Sequence, residues 1–188
     1  MNRQQASIPQ PTPSSIRPVR WRIALAALLL GCGLLLAPAR LCAQQKASDA
    51  LMAKYADAAN FQTGGAFDLA IDAWDKFLAE YPEHPMAAQA AHYLGVCYMQ
   101  KENPDYRAAA KAFQRALQRK EYDLRQESLA NLGWCLYALA GDGEERDSSL
   151  LKQSISVFQI LEKQNPQSKF LDRAYFYRGE AAYGCLLY

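Results

Sequence analysis

After residue 43 the sequence contains five cysteine and histidine side chains, the types that most often form zinc sites and cysteine–histidine nucleophile pairs. They are Cys97, Cys135, Cys185, His84 and His92. No CxxC pair is present, and neither histidine has a cysteine at the spacing of a metal-ligand pair. A nucleophilic cysteine needs a histidine beside it, and no motif in the sequence places one there. We therefore expect neither a metal site nor a catalytic cysteine.

A short acidic run is the other candidate for chemistry. Its carboxylates are those of Asp142, Glu144, Glu145 and Asp147. Their spacing does not match the twelve-residue calcium loop, so we interpret the run as a solvated insertion. The sequence also lacks a glycine-rich phosphate loop, an HExxH motif and a GxSxG motif. These observations predict a protein that is not an enzyme and that uses no metal or cofactor.

The first 43 residues have the composition of an export signal. Three arginines lie between residues 17 and 22, an apolar run follows from Ile23 to Ala37, and small residues come after it. We predict a signal peptide over residues 1–43, with cleavage after Ala43 and with Ala39 as the second choice. The protein would then be periplasmic or associated with the cell envelope.

Two alternatives to this cleavage remain open. An uncleaved anchor would tether the protein to the membrane through residues 21–37, although an apolar run of about 15 residues is shorter than most spanning helices. Lipidation at Cys32 is the other alternative. It is disfavoured because residues 33–37 are strongly apolar, whereas a mature lipoprotein normally continues with polar sequence.

The distribution of charge argues against nucleic acid as the partner. The whole chain has a net charge of +2, but five of its 21 basic residues lie in the first 43 residues, where there is no acidic residue. The remainder carries 16 basic and 19 acidic residues, which gives a net charge of −3. It contains no basic patch with interleaved aromatic residues, the usual pattern of a nucleic-acid-binding surface.

Export makes the state of the three later cysteines relevant, because the compartment is oxidising. An odd number leaves at least one of them unpaired within the mature chain. Cys97 and Cys135 each lie two residues after a glycine in a predicted helix. We predict that both are small, buried hydrophobic residues.

Helical periodicity begins near residue 46 and continues to the end of the sequence. Residues 46–61 predict one helix and residues 66–81 a second, with two glycines in the turn between them. Two prolines then end the second helix, because proline cannot donate a backbone hydrogen bond and restricts the residue before it. A third helix is predicted over residues 86–99, and the last over residues 170–188.

One pattern of residues recurs three times. Its copies have the spacing small-x3-aromatic-x2-apolar and are Ala70-Trp74-Phe77, Ala109-Phe113-Ala116 and Ser154-Phe158-Leu161. A glycine recurs in the alternate helices, at intervals of 38 and 46 residues: Gly95, Gly133 and Gly179. Glycine inside a helix costs up to about 1 kcal/mol, so we expect each one to mark a close approach of a neighbouring helix backbone. The recurrence predicts an all-α array of helix pairs.

These elements resemble the tetratricopeptide repeat family. Its Leu-Gly-x-x-Tyr, Ala-x3-Phe-x2-Ala and Pro elements are matched by Leu94-Gly95-x-x-Tyr98, Ala109-x3-Phe113-x2-Ala116 and Pro166, whereas Arg178 stands where the family prefers leucine. The proline-containing corners look most like the repeats of exported bacterial proteins of the Tol-Pal coordinator and outer-membrane assembly lipoprotein type. The resemblance implies a right-handed superhelical solenoid over residues 46–188, with about three and a half helix pairs.

In such solenoids the first helices of successive pairs line a concave face. By helical phase, eleven aromatic, apolar and charged residues should point toward it: Tyr55, His92, Val96, Met99, Glu127, Trp134, Tyr137, Arg173, Phe176, Glu180 and Tyr183. A surface of this kind would suit an extended peptide or a partner helix. The alternative is that Trp134, Tyr137 and Phe176 only pack between helices. The predicted function is a scaffold for protein–protein interactions in the bacterial cell envelope.

The last predicted helix leaves an apolar face without the cap that repeat arrays usually need. We expect further repeats beyond Tyr188. The alternatives are a short complete protein whose last helix docks on a partner, and self-assembly through this helix. A separate functional hypothesis is that the repeats are a recruiting or regulatory arm of a larger enzyme, with its catalytic domain beyond residue 188.

Overall fold

The computed structural model describes residues 45–46, 48–143 and 146–186, and those from 48 onward belong to one compact unit. Its described residues form seven helices and no strand. The helices are α1 (48–63), α2 (Phe67–Glu80), α3 (Ala87–Gln100), α4 (Tyr106–Leu117), α5 (Arg125–Leu139), α6 (Ser148–Gln164) and α7 (Leu171–Leu186). The fold is therefore all-α, as predicted. The predicted signal peptide and its two alternatives lie outside the described residues, as do Glu144, Glu145 and Tyr188.

The helix boundaries follow from local sequence. The first three predicted helices match α1, α2 and α3 to within two residues at each end. Gly65 has a φ of 75°, in the left-handed region that favours glycine, and forms the turn between α1 and α2. Aspartates cap two later helices: Asp105 accepts from the Ala108 amide at 2.8 Å, and Asp147 accepts from the Ser149 amide at 2.8 Å.

Helices pack mainly against their neighbours in the chain. From α2 to α7 each helix contacts the next one, and α5 also contacts α7. The first pair is joined by aromatic contacts, with the rings of Tyr55 and Trp74 4.8 Å apart. Such sequential contacts are typical of helical-repeat architectures, in which each unit buries its apolar face against the next.

The repeated sequence pattern forms the core of α2, α4 and α6. All nine of its residues are at most 1 % exposed: Ala70, Trp74, Phe77, Ala109, Phe113, Ala116, Ser154, Phe158 and Leu161. The three copies of the pattern therefore occupy the same buried side of their helices. Buried Ser154 satisfies its hydroxyl by donating to the carbonyl oxygen of Gly133 at 2.7 Å.

The helix glycines provide space for an aromatic ring rather than for a neighbouring backbone. A Cβ at Gly95 would lie 2.7–2.9 Å from the ring of Phe113, and a Cβ at Gly133 would lie 2.6–2.9 Å from the ring of Phe158. The prediction of close approach is therefore correct at these two positions, but the contacting group was misidentified. At Gly179 an added Cβ would meet nothing within 4 Å.

Arginine side chains connect successive pairs by capping helix ends. The C-terminal carbonyls of a helix have no partner within it, and a guanidinium can supply donors from outside. Arg115 donates to the carbonyl of Leu78 at 2.9 Å, near the end of α2. Arg125 donates to the carbonyl of Leu117 at 3.1 Å, at the end of α4.

The three cysteines within the described residues, Cys97, Cys135 and Cys185, form no disulfide with one another. Cys97 and Cys135 are fully buried, whereas Cys185 is partly exposed. Burial raises the pKa of the Cys97 and Cys135 thiols to about 12, so both are neutral at physiological pH. The predicted role of these two residues as small hydrophobic core residues is confirmed.

Candidate interaction surface

The first helices of successive pairs, α3, α5 and α7, are linked by side-chain contacts. Between α3 and α5, His92 Nδ1 lies 2.7 Å from Ser128 Oγ. Between α5 and α7, Arg173 donates to Asn131 Oδ1 at 2.7 Å, and the rings of Tyr137 and Tyr177 lie 5.1 Å apart. These contacts place the three helices beside one another, so side chains at equivalent positions can form one surface.

Six equivalent positions on these helices are at least partly exposed. One set lies six residues before the helix glycine and the other lies one residue after it: Gln89, Glu127 and Arg173, then Val96, Trp134 and Glu180. We call these six residues the α3–α5–α7 face. It combines an indole and an aliphatic side chain with charges of both signs, which is a composition suited to recognising a polypeptide.

Trp134 packs against neighbouring side chains and is also partly exposed to solvent. Its ring meets that of Tyr106 edge-on at 4.9 Å, and it packs against the cluster around Phe113. Tyr137 also has intramolecular partners, since the guanidinium of Arg146 lies over its ring at 4.8 Å. Each of these two residues therefore packs between helices and keeps some exposed surface, and their role in binding a partner stays a prediction.

His92 does not face solvent. It is 2 % exposed, and its ring lies 5.5 Å from that of Tyr93 and 5.6 Å from that of Phe113. Burial lowers its pKa to about 4. The expected orientation of His92 toward a groove must be corrected, because the following helices cover this position and its imidazole serves the packing of α3 against α5.

Tyr55 is likewise part of the packing of the first pair. Its ring lies 4.8 Å from Trp74 and 5.4 Å from Phe77, and its hydroxyl is buried without a partner among the described residues. Burial raises its pKa. The expectation that Tyr55 lines the concave face is corrected in the same way, since its ring is directed into the core.

The remaining candidate residues divide between two surfaces. Val96 and Met99 are half-buried beside the cluster around Phe113. Phe176 and Tyr183 are each 62 % exposed, but they lie on the side of α7 that bears Gly179. The eleven predicted residues thus do not form a single groove.

Buried His92 and Ser128, together with partly exposed Glu127, have the residue types of a hydrolytic triad. Ser128 Oγ lies 2.7 Å from His92 Nδ1, and Glu127 Oε1 lies 3.9 Å from His92 Nε2. Ser128 is fully buried, so no substrate can reach it, and we assign the hydrogen bond to packing. Sequence inspection missed this pair. The available signal was their separation of 36 residues, close to the spacing of the repeat.

A groove of about 680 Å³ at the α1–α2 pair was also not predicted. It is lined by apolar Phe61 and Leu69 and by charged Lys54, Asp57 and Lys76. Within the described residues, no helix is long and apolar enough to span a membrane, and no three His, Cys, Asp or Glu side chains are grouped as metal ligands would be.

Neither the models of known protein families nor the curated proteins contain a match to this chain.

Proposed function

We propose that this chain is an exported, non-catalytic scaffold of the tetratricopeptide repeat type that binds a protein or peptide in the bacterial cell envelope. The superhelical arrangement implied by that resemblance is part of the proposal. The sequence supports export through the arginines and apolar run before residue 43. The repeated buried pattern on α2, α4 and α6 supports the repeat type.

The observation that carries the proposal is the α3–α5–α7 face. Its residues recur at the same positions of three helices that are linked by side-chain contacts, and they remain at least partly exposed. An elongated row of this kind matches an extended peptide or a helix better than a small molecule. Glu127 and Arg173 would pair with charges of the partner, while Trp134 would supply an anchoring aromatic contact.

Site-specific photocrosslinking tests this proposal. A benzophenone amino acid is introduced in cells at Val96 or Glu180, which lie on the proposed face. The control positions are Lys152 and Lys163, which are exposed on α6. We expect both face positions, and neither control, to form an adduct with the same envelope protein. Adducts from all four positions alike, or from the controls alone, would refute the assignment of this face.

Cell fractionation tests export separately. We expect the protein in the periplasmic or envelope fraction, and a cytoplasmic location would contradict the proposed compartment while leaving the crosslinking result interpretable.

A further inference from the structure

A polar cleft of about 340 Å³ lies between the corner that follows α2 and the end of α4. Pro82 and Glu83 line it from the corner, and Arg115, Gln118 and Arg119 line it from the end of α4. Each guanidinium carries five N–H donors, and the glutamine amide carries two more. The cleft is therefore rich in hydrogen-bond donors.

Backbone contacts hold the two arginines of the cleft in place. Arg115 donates through Nη2 to the carbonyl oxygen of Leu78 at 2.9 Å, and Arg119 donates through Nη2 to that of Glu83 at 3.2 Å. Because each contact uses only one of the two terminal nitrogens, further donors of each guanidinium are left for a ligand. Side chains that are already held lose less conformational freedom when a ligand binds.

The charge of these two arginines is not neutralised within the cleft. Among the described residues, neither guanidinium forms an ion pair with a carboxylate. Asp75 is near Arg115: burial raises the pKa of its carboxyl, and the charge of Arg115 partly offsets that effect. The lining of the cleft contains two arginines and one glutamate, Glu83, which gives it a net charge of +1.

The basic character extends along α4. Arg107 and Lys111 precede the two arginines of the cleft at the same four-residue spacing, and both are exposed. Residues four apart lie on the same side of a helix. No aspartate or glutamate occurs from residue 106 to residue 120. A concentration of one sign of charge raises the local concentration of oppositely charged ligands, so α4 attracts anions toward the cleft.

The packing of the repeats does not account for the two arginines. At the equivalent positions, α2 has Lys76 and Glu80, and α6 has Ile160 and Gln164. The buried pattern of small, aromatic and apolar residues, by contrast, recurs in all three helices. The pair of arginines is therefore a property of α4 alone among these helices.

We propose that this cleft binds a phosphate group through Arg115, Gln118 and Arg119. Guanidinium groups match phosphate in charge and in the geometry of their paired N–H donors. Three donor side chains suit a phosphate better than a carboxylate, because a phosphate group offers three strong acceptor oxygens and a carboxylate offers two. The cleft shares no residue with the α3–α5–α7 face, so this inference does not depend on the proposed function.

Two sources carry this chemistry, a soluble phosphate ester and the headgroup of a phospholipid. Calorimetric titration of the full chain with glycerol 3-phosphate, at constant ionic strength, tests the first source. Sedimentation with phosphatidylcholine vesicles that do or do not contain phosphatidic acid tests the second. We expect saturable binding to glycerol 3-phosphate, or to the phosphatidic acid vesicles alone if the ligand is a headgroup. Binding to neither probe, or equally tight binding of succinate, would overturn the proposal.

Gln118→Glu places a carboxylate in the cleft and leaves both arginines intact. We expect it to weaken binding by about tenfold or more, as should Arg119→Gln, because charge-assisted hydrogen bonds are lost or opposed. Gln159→Glu, at an exposed position of α6, is the matched control and should bind like the parent. Lys111→Gln, at an exposed position of α4, should weaken binding by no more than about twofold, because exposed charges are screened by salt.

Every variant keeps residues 1–43, so any contribution of their apolar run to vesicle binding is common to all of them. Circular dichroism should show unchanged melting temperatures for Gln118→Glu and its control, because both positions are exposed. Binding by Gln118→Glu at the level of the parent would overturn the proposal. Equal weakening by Lys111→Gln and Arg119→Gln would also overturn it, in favour of general attraction to the basic side of α4.

Discussion

Three glycines with the same place in the repeat differ in what surrounds them. Gly95 and Gly133 each lie against a phenylalanine ring. At Gly179, no atom of the described residues lies within 4 Å of where a Cβ would be. The same substitution at the three sites therefore measures different quantities. At the first two positions it measures the tightness of the ring contact, and at the third it measures the intrinsic cost of glycine in a helix.

We expect Gly95→Ala and Gly133→Ala each to destabilise the fold by about 1–3 kcal/mol, because the phenylalanine ring must move to admit the methyl group. Gly179→Ala should stabilise it by about 0.5–1 kcal/mol through helix propensity. Urea denaturation followed by circular dichroism measures all three changes. Similar effects of the three substitutions would contradict the ring-on-glycine arrangement.

The buried imidazole of His92 predicts a loss of stability in acid. Its pKa is about 4 in the folded protein and 6.5 in the unfolded chain, so the unfolded state binds the additional proton between these values. The stabilisation is complete above pH 6.5 and is lost as the pH falls toward 4, with a total loss of about 3 kcal/mol. Denaturation of the full chain at pH 7 and pH 4.5 measures this change.

His92→Gln is the control for the acid effect, because glutamine can still bond to Ser128 but does not titrate. Carboxylates also lose stabilising charge at low pH, so the difference between the variant and the parent is the informative quantity. If both lose the same stability between pH 7 and 4.5, the histidine does not account for the effect.

Among the helices, α2 shows how the repeated pattern generates the core. Trp74 is fully buried, contacts Tyr55 and Tyr93 at ring distances of 4.8 and 5.6 Å, and donates its indole N–H to Gln62 at 3.1 Å. One side chain thus joins α1, α2 and α3. Its removal leaves a cavity and an unpartnered amide oxygen at the junction of three helices.

Trp74→Ala should destabilise the fold by roughly 3–5 kcal/mol, because large-to-small changes in a core remove contacts and leave a cavity. Leu69→Ala on the same helix is the matched control, since Leu69 is 56 % exposed and its loss should change stability by no more than about 0.5 kcal/mol. Thermal unfolding of both variants gives the comparison. A melting curve of Trp74→Ala that overlays the control would refute the core assignment of α2.

The helices and their buried sides could be predicted because proline and glycine mark the ends and because buried residues recur at helical spacing. The atoms that contact each glycine could not be predicted, because the distance between two helices depends on the side chains of both. The burial of His92 was missed for a related reason. Its exposure depends on the helices packed around it, and Phe176, at the equivalent position of α7, is exposed.

At the scale of the whole molecule, the described helices form a one-dimensional arrangement of neighbours. Contacts run mainly between consecutive helices, and first helices also contact one another, α5 with α7 and α3 with α5 through the His92–Ser128 hydrogen bond. Stability of such arrays is approximately the sum of the contributions of units and their interfaces. Changes near α1 and changes near α7 should therefore be nearly additive.

The mature protein is expected to begin at Gln44. We predict cleavage after Ala43 from the arginines, the apolar run and the small residues of the first 43 residues. Intact-mass spectrometry of protein purified from the envelope fraction measures the N-terminus directly. A product that begins at Arg40 would indicate cleavage after Ala39 instead, and an uncleaved product would support the membrane-anchor alternative.

The arginine caps between successive pairs have a consequence for mutational tolerance. Arg115 and Arg125 donate to the carbonyls of Leu78 and Leu117, which are backbone atoms present whatever the side chain. A substitution at either acceptor position that preserves the helix therefore keeps the hydrogen bond. Replacement of the arginine removes it, so the hydrogen bond depends on the identity of the donor side chain and not on that of the acceptor, whose own side chain is constrained by core packing at Leu78 instead.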